Sequence, residues 1–504
     1  MENKNKISYS LSLKDRVDYI NEIEKLVLEV LVDEISNLFP KIVIKILYAP
    51  WCHFAVHALY GGYEKIKINN DHNWRPELAP GDTQNFMAFA RSESFLLYLR
   101  NLPFESTTLD LSTNLIKMPL ISHGKFLFFN TGFPKNFIRK LTILSFFKVY
   151  KLSNKKISNI YEINRDLRKK LSLKFCHKLI KYDNSEWISK RLTEMIPRSL
   201  LEGLEFQKKY YSRDFTFDTI FSSDSWSSLD TFKIFAFTQR EKRKIKFIGA
   251  PHAFNHSTLD IYWLREYEID FLDKYLLWGN FAISKNKKCT PFYATKFVEK
   301  KLLNPKNIKN NNPIMISAAA RPTHTIEFPY HYSNFINYTN TQIKLAKNLH
   351  ALTNKKIIIR TREKNRGNSL EKSYSKEIIS EDIIILNQKG DFIKSLENFS
   401  LHIADNTSTT ILDSLWNNFP TLILITDDYF KISSEALQTF TGLSKVGVFH
   451  RDIESILEQI KVIKVDINKW WTNEMLQIEV KLFLECHAKS LKDPKNWLKN
   501  FCKI

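Results

Sequence analysis

The stretch from Leu401 to Ile425 constrains this chain more than any other. Leu401 to Ala404 reads as a short buried strand, and Thr421 to Ile425 as a second one. Between them stand six polar residues, Asp405-Asn406-Thr407-Ser408-Thr409-Thr410. An amphipathic helix follows with Ile411, Leu412 and Leu415 on one face, ended by Asn417-Asn418 and Pro420. A polar turn between a parallel strand and a helix offers backbone N–H groups and hydroxyls at the positive end of the helix. That is a site for a phosphate or carboxylate. An N-cap at Asn406 or Thr407 would account for part of the turn, but four consecutive hydroxyl residues exceed what capping needs.

The same alternation runs through the C-terminal part. Strands are expected at Ile314 to Ile316, Lys356 to Arg360, Ile383 to Leu386 and Val446 to Phe449. Helices are expected at Phe335 to Leu352, Phe392 to Phe399, Ser434 to Phe440 and Ile453 to Val462. This order predicts a doubly wound parallel sheet. The N-terminal half is less regular. Ile42 to Leu47 reads as a strand and Trp51 to Tyr63 as a helix. Strands near Thr219 to Ser222, Lys246 to Gly249 and Tyr275 to Trp278 alternate with helices at Thr231 to Arg243 and Leu259 to Phe271. Lys300 to Pro313 is polar, has two prolines and reads as a linker.

The expected division is therefore an N-terminal acceptor-side α/β domain over 1–300, a linker over 301–313 and a C-terminal Rossmann-like, nucleotide-donor-binding domain over 314–465. Helices over 466–504 would pack back on the N-terminal domain. Two such domains place a ligand in the cleft at the carboxyl ends of their strands.

Composition narrows the partners. The chain has 75 basic and 54 acidic residues, a net charge of +21, with no recognisable nucleic-acid module. Nucleic acid is not expected as a partner. Lys135 to Lys151, basic and interleaved with Phe, Ile and Leu, reads either as a surface helix over a core or as a contact with an anionic membrane. The five cysteines show no metal-ligand spacing, and no apolar run approaches the ~18 residues of a membrane span. The expectation is a cytoplasmic protein, with a peripheral contact on the inner face of the cytoplasmic membrane as the reading that the basic segment adds. No Gly-rich dinucleotide fingerprint or P-loop is present, no Asp-x-Asp metal motif stands near the cleft, and no cofactor or metal is expected.

Five loops carry candidate chemistry. Gly249 to Ser257 holds His252, suited to general acid work or to a leaving phosphate, and also His256. Glu266, Glu268, Asp270 and Asp273 follow, and Glu266 or Glu268 is the candidate base or nucleophile. Arg360-Thr361-Arg362 leaves a buried strand with guanidinium forks that match phosphate. Arg321, after the first strand of the C-terminal domain, would point into the same cleft. Trp51 and His53, in Ala49-Pro50-Trp51-Cys52-His53, would sit on the acceptor side.

This set resembles a bacterial family of surface-carbohydrate (O-antigen and capsule) biosynthesis transferases. More distantly, it looks like two-domain capsule glycosyltransferases that use CMP-activated sialic acid or Kdo. The resemblance rests on Ala49-Pro50-Trp51, the segment around Pro197 to Glu202, His252, Glu266, Glu268, Asp273 and Trp278-Gly279. In the C-terminal half it rests on Ala320-Arg321-Pro322, Arg360, Asp405 to Thr410, Asn418-Phe419-Pro420, Trp470-Trp471 and Gln477. It implies a GT-B-like fold and a cytoplasmic glycosyltransferase of surface polysaccharide assembly, and the missing Asp-x-Asp motif predicts metal-independent catalysis. A nucleotide-sugar is the donor, and a glycan or lipid-linked glycan is the acceptor. Arg321, Arg360, Arg362 and Asp405 to Thr410 would bind the donor phosphate, and His252 would assist the leaving group. The family's Gln-His-Gly-Gly is replaced here by Pro251-His252-Ala253-Phe254. That departure supports the alternative of a non-catalytic polysaccharide assembly factor; a polyol-phosphate transferase of cell-surface polymers, with a similar cleft and a different donor, is the other alternative.

Overall fold

The computed structural model describes residues 13–63, 75–90, 110–118, 124–158, 160–182, 184–260, 263–281, 286–305, 308–317, 332–361, 381–387, 391–427 and 430–504. Two six-stranded sheets, parallel throughout, organise it. The first contains β2 (Phe126–Phe128), β3 (Val149–Lys151), β5 (Thr219–Ser222), β6 (Lys246–Gly249), β7 (Lys274–Leu277) and β8 (Cys289–Pro291), in the order β3-β2-β5-β6-β7-β8. β1 (Thr113–Ile116) and β4 (Asn154–Ile157) form a separate antiparallel pair. The second sheet contains β9 (Ile314–Ser317), β10 (Ile357–Thr361), β11 (Ile383–Asn387), β12 (Leu401–Ala404), β13 (Thr421–Leu424) and β14 (Phe449–His450), in the order β11-β10-β9-β12-β13-β14.

Each sheet reverses direction once. The reversal falls between β2 and β5 in the first sheet and between β9 and β12 in the second. Loops leaving the two central strands on either side of such a reversal part and open a crevice at the carboxyl edge. In the second sheet those loops begin after Ser317 and after Ala404. In the first they are Phe129 to Phe133 and Ser223 to Ser225.

Helices α1 (Leu13–Ile35) and α2 (Lys41–Tyr63) precede the first sheet. This corrects the expected strand at Ile42 to Leu47: one continuous helix runs through Pro50. Part of it, Lys41–Leu59, is also long and apolar enough to cross a membrane, contrary to the sequence expectation, but 72% of that segment is buried inside the protein. Tertiary burial on several sides makes the helix apolar all round.

α3 (Lys135–Leu144) packs Phe137, Ile138 and Leu141 against the first sheet. α4 (Ser225–Ser228) and α5 (Asp230–Lys242) follow β5. α6 (Asn255–Thr258) and α7 (Trp263–Phe271) follow β6. In the second sheet α8 (Tyr332–Thr353), α9 (Phe392–Ser395), α10 (Thr409–Trp416) and α11 (Ser434–Lys445) join the strands. The chain ends in α12 (Glu474–His487) and α13 (Pro494–Phe501).

The halves meet along a firm seam. Leu259 and Ile432 form an antiparallel bridge. It is flanked by Asp260 N–H donating to Lys431 O (2.9 Å) and Ser433 N–H donating to Thr258 O (3.0 Å). Phe254 is fully buried against Phe440, Phe483 and His487, so one apolar cluster spans both halves. The last helix returns to the first sheet, where Trp497 and Phe501 pack on Phe126, Phe128 and Phe221. Gly279 is fixed by this return: a Cβ there would stand 2.2 Å from the Cys486 carbonyl oxygen.

Candidate active site

Asp224 leaves β5 at the reversal of the first sheet, and His252 leaves the neighbouring strand β6. Nδ1 of His252 lies 3.5 Å from Oδ1 of Asp224, and both side chains are partly exposed, 37% and 42%. Behind His252, the ring of His256 packs edge-on with centroids 4.2 Å apart. His256 is buried, and burial pushes its pKa well below the usual histidine range, with His252 and Arg265 adding to the shift. It is a neutral packing partner; its Nδ1 is 3.4 Å from the Tyr275 hydroxyl. Arg265 braces the crossing loop, donating to the carbonyls of His256 (3.3 Å), Leu259 (2.9 Å) and Asp260 (3.0 Å). The substitution of Phe254 for a loop glycine has its reason in the seam: the ring is core, so His252 is held by a packed side chain rather than by a flexible backbone.

The carboxylate beside His252 is thus Asp224, and the candidate acids on α7 go elsewhere. Glu266 faces solvent and pairs with Arg265 at 2.7 Å. Glu268 is 1% exposed; burial pushes its pKa up to about 8, Asp224 adds to the rise, and Ser227 and Lys233 oppose it. Burial thus favours its protonated form, and its side chain is enclosed rather than open to a ligand. Asp270 is exposed, and Asp273 accepts from Phe247 N–H (2.7 Å) and pairs with Arg240 (3.0 Å). Below Glu268 lies a buried charged group that the sequence did not suggest. Lys233 stands 3.9 Å from Asp230, and Asp230 accepts from Thr83 N–H (2.8 Å) and the Ser199 hydroxyl (2.9 Å).

At the reversal of the second sheet the polar turn divides. Asp405, Asn406 and Thr407 are buried, whereas Ser408, Thr409 and Thr410 are half-buried. Asp405 accepts from the Tyr338 hydroxyl (2.8 Å), from Gln342 and from Asn406 Nδ2 (3.0 Å); Asn406 also donates to Ser317 O (3.1 Å). Burial raises the Asp405 pKa to about 6 against the lowering effect of these donors. These three residues set the shape of the turn, so the part open to a ligand is Ser408 to Thr410 at the start of α10. Ser408 takes an extended N-cap conformation and its side chain bonds Thr410 rather than a helix amide.

Arg360 sits at the same level. It is paired in register with Ser317, which is paired with Ala404. Two strand spacings put Arg360 roughly 10 Å from the start of the turn. Its guanidinium lies 5.1 Å over the Phe392 ring, and Phe392 packs on His402 at 5.3 Å. His402 is buried between the hydroxyls of Ser317 and Ser414, both at 2.7 Å; burial, with Arg360 adding, lowers its pKa to about 3. It stays neutral beside the cation. Arg321 and Arg362 lie outside the described residues.

The loop after β2 runs close to Thr295, and the neighbouring Lys296 reaches α10 of the second sheet. A Cβ on Gly132, whose φ is +75°, would lie 3.2 Å from Thr295 Oγ1 and 3.6 Å from Ser223 Oγ. Next to Thr295, Lys296 pairs with Asp413 of α10 at 2.8 Å.

The acceptor-side candidates are corrected. Trp51 is fully buried, its indole N–H donating to Met195 O (2.8 Å), and His53 is buried against Glu24 and Trp263. Both belong to the interior of α2. Other residues behind the resemblance are structural as well. Glu202 forms a bidentate, buried pair with Arg168, both contacts at 2.7 Å. Asn418, with φ of +48°, accepts from Trp471 Nε1 and donates to Leu303 O and Gln477 Oε1, tying the linker to the terminal helices.

Two six-stranded parallel sheets, each wound in both directions from a central pair of strands, define an α/β protein with two Rossmann-like sheets. The LIC12162 family transferase profile matches residues 21–501, and the chain belongs to that family. It is a transferase. No curated protein matches the sequence. Solved structures that align with it include TarM (13% identity, TM-score 0.38, covering 60% of this chain and 58% of TarM). S. aureus MnaA with UDP aligns at 11% identity and TM-score 0.39, covering 75% of this chain and 96% of that one. The wall teichoic acid polymerase TagF aligns at 8% and 0.33, covering 75% and 87%. The fold assignment stands on the sheets of this protein and takes nothing from these alignments.

Proposed function

We propose that this transferase moves a sugar from a nucleotide-activated donor to a glycan or lipid-linked glycan of a surface polymer. The observation that carries the reading is the pairing of two different strand-exit sites. One presents a partly exposed histidine–aspartate pair, and the other a helix start with half-buried hydroxyl residues near a half-buried arginine. A departing nucleotide phosphate needs fixed positive charge and N–H dipoles where its charge develops. Arg360 and Ser408 to Thr410 supply these, with Arg321 and Arg362 as further donor-side candidates. His252, oriented by Asp224, would donate to the leaving group or take a proton from the acceptor hydroxyl. No step in this scheme requires a metal. The test is turnover of UDP-, CMP-, GDP- and TDP-sugars by the purified chain in excess chelator, preceded by a thermal-shift screen of the four nucleotides. A nucleotide that stabilises the protein without any turnover would favour the non-catalytic assembly factor; turnover of a CDP-polyol alone would favour the polyol-phosphate transferase.

A peripheral membrane contact belongs to the same reading. After α3, Ile143, Leu144, Phe146 and Phe147 are 64%, 45%, 86% and 65% exposed. Phe146 and Phe147 hold φ of +51° and +60°, which non-glycine residues rarely adopt. Arg139, Lys148 and Lys151, near them in the chain, are all exposed. An apolar tip with cations near it in the chain fits the interface of an anionic bilayer, which would hold the enzyme beside a lipid-linked acceptor on the inner face of the cytoplasmic membrane. Flotation with phosphatidylglycerol vesicles should carry the wild type and lose the Phe146→Ser/Phe147→Ser double variant. Equal flotation of both removes this contact from the reading.

A further inference from the structure

Away from the strand exits, one cluster brings together three metal-ligating side chains that the transfer scheme does not use. Glu24 projects from α1, and His53 and His57 stand one helical turn apart on α2. The spacing i, i+4 puts both imidazoles on the face that meets α1. Nδ1 of His53 is 2.8 Å from Oε1 of Glu24, and Nε2 of His57 is 3.5 Å from the same oxygen. One donor atom from each residue lies within 4.8 Å of the other two. A tetrahedral ion with bonds near 2.1 Å holds its ligands about 3.4 Å apart. The observed separations bracket that value, so closing on an ion requires only small side-chain shifts.

The surroundings hold these groups in place. His53 is stacked flat on Trp263, with centroids 4.0 Å apart and planes 8° apart, and its ring lies 4.3 Å from that of His57. Glu24 and His53 are 8% and 7% exposed. The His57 side chain is 19% exposed, which leaves an entry path and room for water as a fourth ligand. Both imidazoles face the same Glu24 oxygen, so one divalent cation could be reached by all three side chains.

We propose that Glu24, His53 and His57 form a binding site for one divalent transition-metal ion of the zinc class. Two imidazoles and a carboxylate, with no thiolate, suit that class better than calcium or magnesium. The bound ion would clamp α1 to α2 and fix His53 against Trp263. Trp263 is the first residue of α7, and α7 lies just beyond the loop that crosses to the C-terminal half. The site thus orders one wall of the N-terminal domain and takes no part in the transfer chemistry.

The test uses the tag-free full chain, stripped with chelator and then titrated with zinc and with cobalt(II). The wild type should take up one equivalent of zinc, show the visible absorption of four-coordinate cobalt, and melt at a higher temperature with zinc than with chelator. His57→Asn, at the most exposed ligand, should keep its metal-free melting temperature, bind zinc at least ~10-fold more weakly and lose the zinc-dependent rise. Glu24→Gln should behave in the same way. Zinc uptake by the wild type no greater than in the chelated control would overturn the proposal and leave a hydrogen-bonded cluster only. So would equal affinity in wild type and His57→Asn, which would place the ion elsewhere.

Discussion

Asp405 and Asp224 occupy corresponding places and have opposite fates. Each follows the strand that opens the second half of its sheet, at the reversal where a crevice forms. Asp405 is buried, receives donors from Tyr338, Gln342 and Asn406, and is raised to about 6. Asp224 is partly exposed and faces His252. The second sheet uses its acid internally, to hold a turn whose outer hydroxyls stay open. The first sheet presents its acid outward, beside an imidazole. In the proposed scheme anion binding and proton transfer fall to different halves, and an aspartate after a strand does not by itself tell which role it takes.

The largest effect that would test this contrast is at the outward pair. His252→Ala should lower kcat by about 10²–10⁴-fold, the range for a lost general acid or base. Its melting temperature should stay near that of the wild type, because the side chain is partly exposed. Asp224→Asn should lower kcat less and displace the pH profile, since it orients the imidazole without touching substrate. Full activity in His252→Ala would move the chemistry away from the first sheet.

The inward acid gives the next effect, and it is read in stability. Asp405 has a folded pKa of about 6 against an ordinary value of 3.8. A carboxyl raised on folding binds its proton more tightly in the native state. Its contribution is therefore best below pH 4, erodes as pH rises to about 6 and is fully unfavourable above that. Two pKa units correspond to about 3 kcal/mol. Asp405→Asn should flatten that slope, with the Gln342 amide turned over so that its oxygen, which has no partner among the described residues, accepts from the new amide. Thermal melts from pH 4 to 8 measure it: the variant should gain on the wild type as pH rises. Parallel curves would mean that the acid is not held as described.

Much of this second sheet was legible in the sequence, because its strands are β-branched runs between helices of ordinary length. The expected strand, polar turn and helix at 401–416 appear as β12 and α10. The first sheet was harder. β2 and β3 have three residues each, too few to show a period. Ile42 to Leu47 has the composition of a strand and lies in α2, where burial overrides propensity. Asp224 went unnoticed although Ser222-Ser223-Asp224-Ser225 repeats the hydroxyl-rich pattern of Asp405 to Thr410 after a strand. Trp51, Glu202, Asn418 and Trp471 were conspicuous for a different reason. Large or charged residues in the interior need specific partners, so they are as distinctive as chemical residues and are not told apart from them without the fold.

The smallest of the three effects bears on the second half of the contrast, the anion site. Arg360 keeps its charge although burial lowers its pKa, since a guanidinium is not deprotonated in a protein. Phe392 supports one face of the group, and the neutral His402 beside it adds no repulsion. A cation held there recovers its desolvation cost when a phosphate arrives. Removing a charged hydrogen bond costs about 1.5–3 kcal/mol, so Arg360→Ala should weaken binding of the stabilising nucleotide about 10- to 100-fold. The value of kcat at saturating donor should change much less. Arg360→Lys, which keeps the charge and loses the fork, should fall between the two. Isothermal titration with the nucleotide found in the thermal-shift screen reads this directly. Unchanged affinity in Arg360→Ala would mean that the hydroxyl turn and the arginine do not form one site. The second sheet would then lose its assigned role, while the histidine–aspartate pair of the first would keep its own.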